Sequence, residues 1–140
     1  MPTFPLLDAA ATQQLGFDLG CLLVPGDLIT LSGPLGAGKT TFSQGLARAL
    51  KIEDPISSPT FVLMNEYAGE IPLIHLDAYR MEGWDYDEFR DAGLEEFLNR
   101  NDAIRLIEWP EMVADFLPVP RFRVQLEIEG ETRVVSFEGE

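Results

Sequence analysis

The sequence predicts an α/β protein of three layers, built on a mixed, partly parallel sheet and ending in an antiparallel hairpin. Three observations predict it. Apolar, strand-like runs alternate with helical patterns along most of the chain. One of those runs is joined to a helix by a glycine-rich turn, Gly33-Pro34-Leu35-Gly36-Ala37-Gly38-Lys39-Thr40. Residues 121–138 (RFRVQLEIEGETRVVSFE) alternate apolar and polar side chains on both sides of Glu129-Gly130-Glu131, as a terminal hairpin should. With 46% hydrophobic residues and nine Phe in 140 residues, the chain can bury a core, and one domain over residues 1–140 is expected.

The elements follow in order. Asp8 is placed to cap a helix running through Val24, with Leu15, Leu19 and Leu22 on one face, weakened by Gly16 and Gly20; Cys21 within it reads as a packing residue. Pro25-Gly26 breaks the chain, and 27–32 (DLITLS) reads as a buried strand. Residues 41–50 carry a helical stripe of Phe42, Leu46, Ala49 and Leu50. After a proline-containing loop at 51–59, residues 60–67 (TFVLMNEY) read as a strand and 71–76 as its hairpin partner. Residues 77–93 are mixed and aromatic, and 94–100 suggest a short amphipathic helix. A further strand is read at 103–109 (AIRLIEW), and Pro110 is suited to open a short helix through Phe116, ended by Pro118 and Pro120.

Composition removes several function classes. The 24 acidic against 10 basic residues give a formal charge of −14, which disfavours strong direct binding to nucleic acid; any such role is expected to run through a partner. The two lysines, Lys39 and Lys51, and eight dispersed arginines leave no basic run suited to a nucleic acid or an anionic membrane. Cys21 and His75 are the sole cysteine and histidine, so a disulfide framework or a Cys/His zinc site within one chain is excluded. No basic leader or membrane-spanning run is read, and a reducing cytoplasm is the expected setting.

The turn at 33–40 fits G-x-x-x-x-G-K-[ST] and lies between strand and helix, so the fold expected is P-loop NTPase-like. Its glycines let backbone N–H groups converge on phosphate oxygens, and the following helix offers its electropositive end to the same anion. Lys39 is expected to reach the β- and γ-phosphates and Thr40 to ligate Mg²⁺, so the implied ligand is a magnesium nucleoside triphosphate. No N-K-x-D guanine-reading sequence is present, which favours ATP. Asp77 and Glu108, each at the end of an apolar run, compete for the second metal-site role, against the plainer reading that acidic residues start turns. Ser58-Pro59-Thr60 reads either as a plain turn or as a segment whose hydroxyl senses the γ-phosphate. Arg80 reads either as a phosphate partner or as a surface ion-pair residue, and Trp109 alone as core or interface filling.

Taken in order, LSGPLGAGKTTFSQGLARAL, SSPTFVLMNEY, HLDAYR and LIEWPE resemble the TsaE family, formerly YjeE, the ATPase component of bacterial tRNA threonylcarbamoyladenosine (t6A) biosynthesis. The resemblance implies a small P-loop fold that binds ATP and Mg²⁺ and cooperates with the TsaD and TsaB proteins to modify position 37 of tRNAs decoding ANN codons, hydrolysis supporting turnover. It places phosphate and metal binding on residues 33–41, which include Gly33, Leu35, Gly36, Ala37, Gly38, Lys39, Thr40 and Thr41. It puts Thr60 in a switch-like segment and makes Asp77 and Glu108 the acidic site residues, with Trp109 in the same signature.

The expected division of labour is that Lys39 and the loop amides hold the triphosphate, Thr40 and Glu108 organise Mg²⁺, and Asp77 positions the metal shell or the attacking water; the two acids can exchange roles. Two rivals stand beside it. A small-molecule kinase shares the loop and helix but needs an acceptor pocket and an arginine-rich lid, and no compact basic segment is visible. A nucleotide-gated interaction module would use the bound state more than turnover.

Overall fold

The computed structural model describes residues 3–56 and 64–139. Seven strands form one sheet: β1 (Thr3–Leu6), β2 (Leu28–Ser32), β3 (Met64–Tyr67), β4 (Leu73–Asp77), β5 (Ile104–Glu108), β6 (Phe122–Glu129) and β7 (Thr132–Gly139), in the spatial order β1-β7-β6-β2-β5-β4-β3. The middle pairings β6–β2, β2–β5 and β5–β4 are parallel, and the pairings outside them, β1–β7, β7–β6 and β4–β3, are antiparallel. The sheet is therefore mixed and partly parallel, with the C-terminal hairpin expected from the alternation at 121–138.

Strand chemistry explains this arrangement. Every residue of β5 is buried, and β2 and β4 are buried over all but their last residue, the mark of strands covered on both faces. Alternation sends Ile29, Leu31, Leu73, Ile104 and Leu106 into one core with Phe42 and Leu46, under helices α1 (Ala9–Gly20) and α2 (Lys39–Ala49). Leu28, Ile74, Leu76 and Ile107 go into a second core with Phe89 and Phe97, under α3 (Tyr86–Asp91) and α4 (Glu95–Asn99). These are the three layers. Within the second core face, buried Arg105 donates to the carbonyls of Leu98 and Gly26, each at 2.7 Å, so that α4 and the turn before β2 are tied to the central sheet.

Several expectations are corrected. The first helix starts as read, with Asp8 accepting from the Ala11 amide at 2.8 Å, but it stops at Gly20 rather than Val24. Cys21 is consequently an exposed C-cap rather than a packing residue, and the turn there shifts the phase so that Leu23 enters the core while Leu22 stays 54% exposed. Gly16 and Gly20 act as contact residues: a Cβ on Gly16 would fall against the Phe42 carbonyl oxygen, and a Cβ on Gly45 against that of Gln13. Small residues on both helices let their backbones touch, a gain that helix propensity does not register.

The stretch 110–116 forms two 3₁₀ turns, Pro110–Met112 and Ala114–Phe116, because Val113 between them leaves helical geometry. In the aromatic stretch left unassigned at 77–93, α3 is set by a capping box of Asp85 and Glu88. The edge strand β1 was not expected. It is only four residues long and carries Pro5, which cannot donate to a ladder and is tolerated because the strand lies at the sheet edge. The strand read at 60–67 is observed from Met64; 60–63 lie outside the described residues.

Candidate nucleotide site

The site lies where β2, β4 and β5 end together. Residues 33–38 connect β2 to α2, with Gly36 and Gly38 at φ 81° and 105°, conformations that a side chain would strain. Gly38 is the N-cap of α2 and has no side chain with which to cap it, so the amides of the first turn face the loop. Lys39, 7% exposed, curls back over the turn: Nζ donates to the Gly33 carbonyl oxygen at 2.5 Å and stands 4.2 Å from the centre of the Trp109 ring.

Sheet register brings in the acids. Asp77 and Glu108 are direct partners across β4 and β5, and Glu108 is in turn the partner of Leu31 on β2, two residues before the glycine-rich turn begins at Gly33. Residues distant in sequence therefore become neighbours because parallel strands end level with one another. Asp77 accepts from the Tyr79 amide at 2.9 Å. Trp109 takes φ 58°, a left-handed turn uncommon for a bulky residue, which directs its ring towards Lys39 and edge-on to Tyr79 at 5.0 Å.

Burial governs the electrostatics. It depresses the Lys39 ammonium below the usual lysine range, outweighing the attraction of Glu108, Asp77 and Glu111. It also raises the Asp77 carboxyl, against the Tyr79 hydrogen bond and with a smaller push from Glu108. Among the described residues Lys39 makes no ion pair within 4 Å, although its charge is attracted by three acids.

Leu35, Gly36, Gly38, Lys39, Thr40, Thr41, Asp77 and Glu108 line one cleft of about 500 Å³, together with Arg80 and Trp109. Two predicted residues stand apart from its wall. Gly33 contributes its carbonyl to Lys39, and Ala37 is fully buried, which leaves only its backbone for a ligand. Thr60, with Ser58 and Pro59, lies outside the described residues. A hydroxyl and two carboxylates are hard oxygen donors that suit Mg²⁺. Among the described residues no three His, Cys, Asp or Glu side chains converge into a cage.

Two features were missed in the sequence. His75 Nε2 lies 2.5 Å from Glu108 Oε2, and the signal was available in its i, i+2 spacing from Asp77. A second cleft, about 270 Å³, adjoins the other side of the phosphate turn, shares Gly36, Gly38 and Thr41 with the first, and is walled by Asp8, Thr12 and Arg133. Arg133 donates from Nε to the Gly36 carbonyl at 2.9 Å. No signal at residue 133 distinguished it from other strand arginines.

Comparison with known proteins agrees with this geometry. The family described as threonylcarbamoyl adenosine biosynthesis protein TsaE matches residues 6–135. The tRNA threonylcarbamoyladenosine biosynthesis protein TsaE of Bacillus subtilis is 43% identical over 115 residues, 81% of this chain and 70% of that one. The protein of the same name from Nostoc is 48% identical over 110 residues, 76% of this chain and 66% of that one, and the one from Treponema pallidum is 38% identical over 120 residues, 86% and 87%. The chain thus spans about two thirds of the length of the first two relatives. The crystal structure of Bacillus subtilis YdiB superposes with a TM-score of 0.75 at 30% identity, covering 97% of this chain and 83% of that one. With a family match over nearly its whole length and relatives this similar, the chain belongs to the TsaE family.

Proposed function

We propose that this protein binds and hydrolyses ATP with Mg²⁺ as a component of the cytoplasmic machinery that makes t6A in tRNA, supporting turnover of TsaD and TsaB and meeting tRNA through them. One observation carries the ATPase reading: Lys39, Thr40, Asp77 and Glu108, drawn from three elements, line one cleft at the open end of α2. The t6A assignment rests on family membership and on the relatives' names. One seven-stranded sheet drawing on residues 3 to 139 supports a single nucleotide-binding domain over 1–140. No helix among the described residues is long and apolar enough to cross a membrane.

In this reading the loop amides and Lys39 hold the β- and γ-phosphates, and the desolvation that Lys39 suffers is offset once phosphate oxygens surround it. Thr40 with Glu108 or Asp77 would hold Mg²⁺, whose chemistry is to neutralise charge developing on the phosphates. The other carboxylate orients the attacking water. Because both clefts share Thr41, a triphosphate running past that residue would place its nucleoside end in the second cleft, beside Thr12 and Arg133.

Phosphoryl transfer needs positioning more than covalent help, so a cleft with an exposed wall, Leu35 at 87%, is expected to turn over slowly until a partner closes it. Measuring phosphate release with and without TsaD and TsaB tests this: the partners should raise turnover, and Glu108→Ala should cut it about 100-fold or more in a protein that still melts cooperatively. Equal turnover in both conditions would remove partner completion. Transfer of labelled γ-phosphate to a small acceptor would replace hydrolysis by kinase chemistry.

A further inference from the structure

The buried imidazole behind the cleft has no role in the reading above. On β4, His75 and Asp77 share a face; on β5, Glu108 lies on that same face, and the register pairs His75 with Leu106 and Asp77 with Glu108. His75 and Glu108 are 1% and 2% exposed, and Nε2 stands 2.5 Å from Oε2. With Glu108 ionised, as a metal ligand must be, its oxygen accepts and Nε2–H of His75 donates. Among the described residues the other ring nitrogen, Nδ1, is buried without a hydrogen-bond partner, so the side-chain hydrogen bond of the ring runs from Nε2 alone. The ring is thus set as a single donor aimed at one oxygen.

We infer that His75 is a positioning residue for Mg²⁺ binding: its Nε2–H commits Oε2 of Glu108 and leaves Oε1 as the oxygen offered to the cleft. The inference rests on the Mg·ATP reading of the site. A carboxylate at a strand end can rotate between one-oxygen and two-oxygen presentation; a short hydrogen bond from a ring that is itself buried restricts that freedom. Groups that orient a metal ligand in this way characteristically change metal affinity about 10- to 100-fold when replaced, while leaving the ligand itself in place.

The test separates the donor position from mere packing. In His75→Gln the amide nitrogen stands near the place of Nε2, in His75→Asn near that of Nδ1, and His75→Leu fills the space with no donor. ATP binding is titrated calorimetrically for all four proteins across a Mg²⁺ series and in EDTA, with melting temperature recorded alongside.

His75→Asn and His75→Leu should need about 10- to 100-fold more Mg²⁺ for half-maximal metal-dependent binding, His75→Gln should stay within about threefold of wild type, and binding in EDTA should be alike in all. Equal Mg²⁺ dependence in every protein, or Gln and Asn variants that behave alike, would overturn the inference. If His75→Leu fails to fold, the Gln and Asn pair decides. Wild-type protein whose ATP binding ignores Mg²⁺ would instead sink the Mg·ATP reading itself, and the inference with it.

Discussion

Two charge clusters on this molecule each set one basic side chain beside an Asp and a Glu, and they behave oppositely. At the edge of the sheet, Arg100 donates to Asp102 at 2.7 and 3.0 Å and to Glu66 at 2.9 and 3.2 Å, a forked pairing in which most of its donors are used. There the hydrogen bonds dominate: the arginine is pushed above its usual range and both carboxyls below theirs. In the cleft, burial dominates, and it pushes Lys39 down and Asp77 up. The edge cluster is satisfied within the protein, whereas the cleft holds charges that the fold by itself disfavours. On the proposed reading, the difference separates charges that serve stability from charges placed for an anion and a cation arriving together.

The sharpest way to break this contrast is to delete one cation from each cluster. Lys39→Met should lower ATP affinity or turnover by about 100-fold or more. Its melting temperature should hold or rise, because burial already disfavours the ammonium. A clear fall in melting temperature would show that Lys39 is held for structure. Arg100→Met should do the reverse, leaving phosphate release unchanged while lowering the melting temperature by roughly 2–5 °C, a size set by ion pairs whose acidic partners stay more than half exposed. Loss of ATPase in that variant would mean that the edge of the sheet communicates with the cleft.

The sequence carried one side of this contrast better than the other. The parallel centre was legible because strands buried on both faces must read as apolar runs, and LITLS, LIHLD and IRLIE do. The phosphate turn was legible because its glycines and Lys39 are contiguous. Asp77 and Glu108 could be nominated from their places at strand ends, but their adjacency depends on the register of β4 against β5, which no local pattern encodes.

The same limit hid the other long-range features. His75 acquires meaning only when Glu108 arrives beside it, Arg133 only when β7 passes the phosphate turn, and Arg100 only when β3 brings Glu66 to it. The end of α1 at Gly20 and the 3₁₀ turns after Pro110 were misread for a different reason. Leu22 continues the apolar spacing of α1 past its end at Gly20, and Pro110 is suited to open a helix that is lost where Val113 leaves helical geometry.

The smallest effect gives the finest test, since acid should act on the two clusters with opposite sign. Glu66 has its carboxyl depressed, so it contributes stability that is present above the ordinary value of 4.5 and is lost as pH falls through its lowered value. Glu66→Gln should therefore melt below wild type at neutral pH and converge on it in acid.

Asp77 has its carboxyl raised, so the folded state takes up its proton before the unfolded chain does, and stability falls as pH rises through the interval above 3.8. In metal-free buffer Asp77→Asn should melt at or above wild type at neutral pH, by on the order of a degree or two given its partial exposure, and the gap should close on acidification. An Asp77→Asn protein that melts lower at neutral pH would show that the bond from the Tyr79 amide outweighs the cost of burial. Asp77 would then belong with Arg100, Glu66 and Asp102 among charges kept for the fold, and the cleft would rest on Lys39 and Glu108 alone.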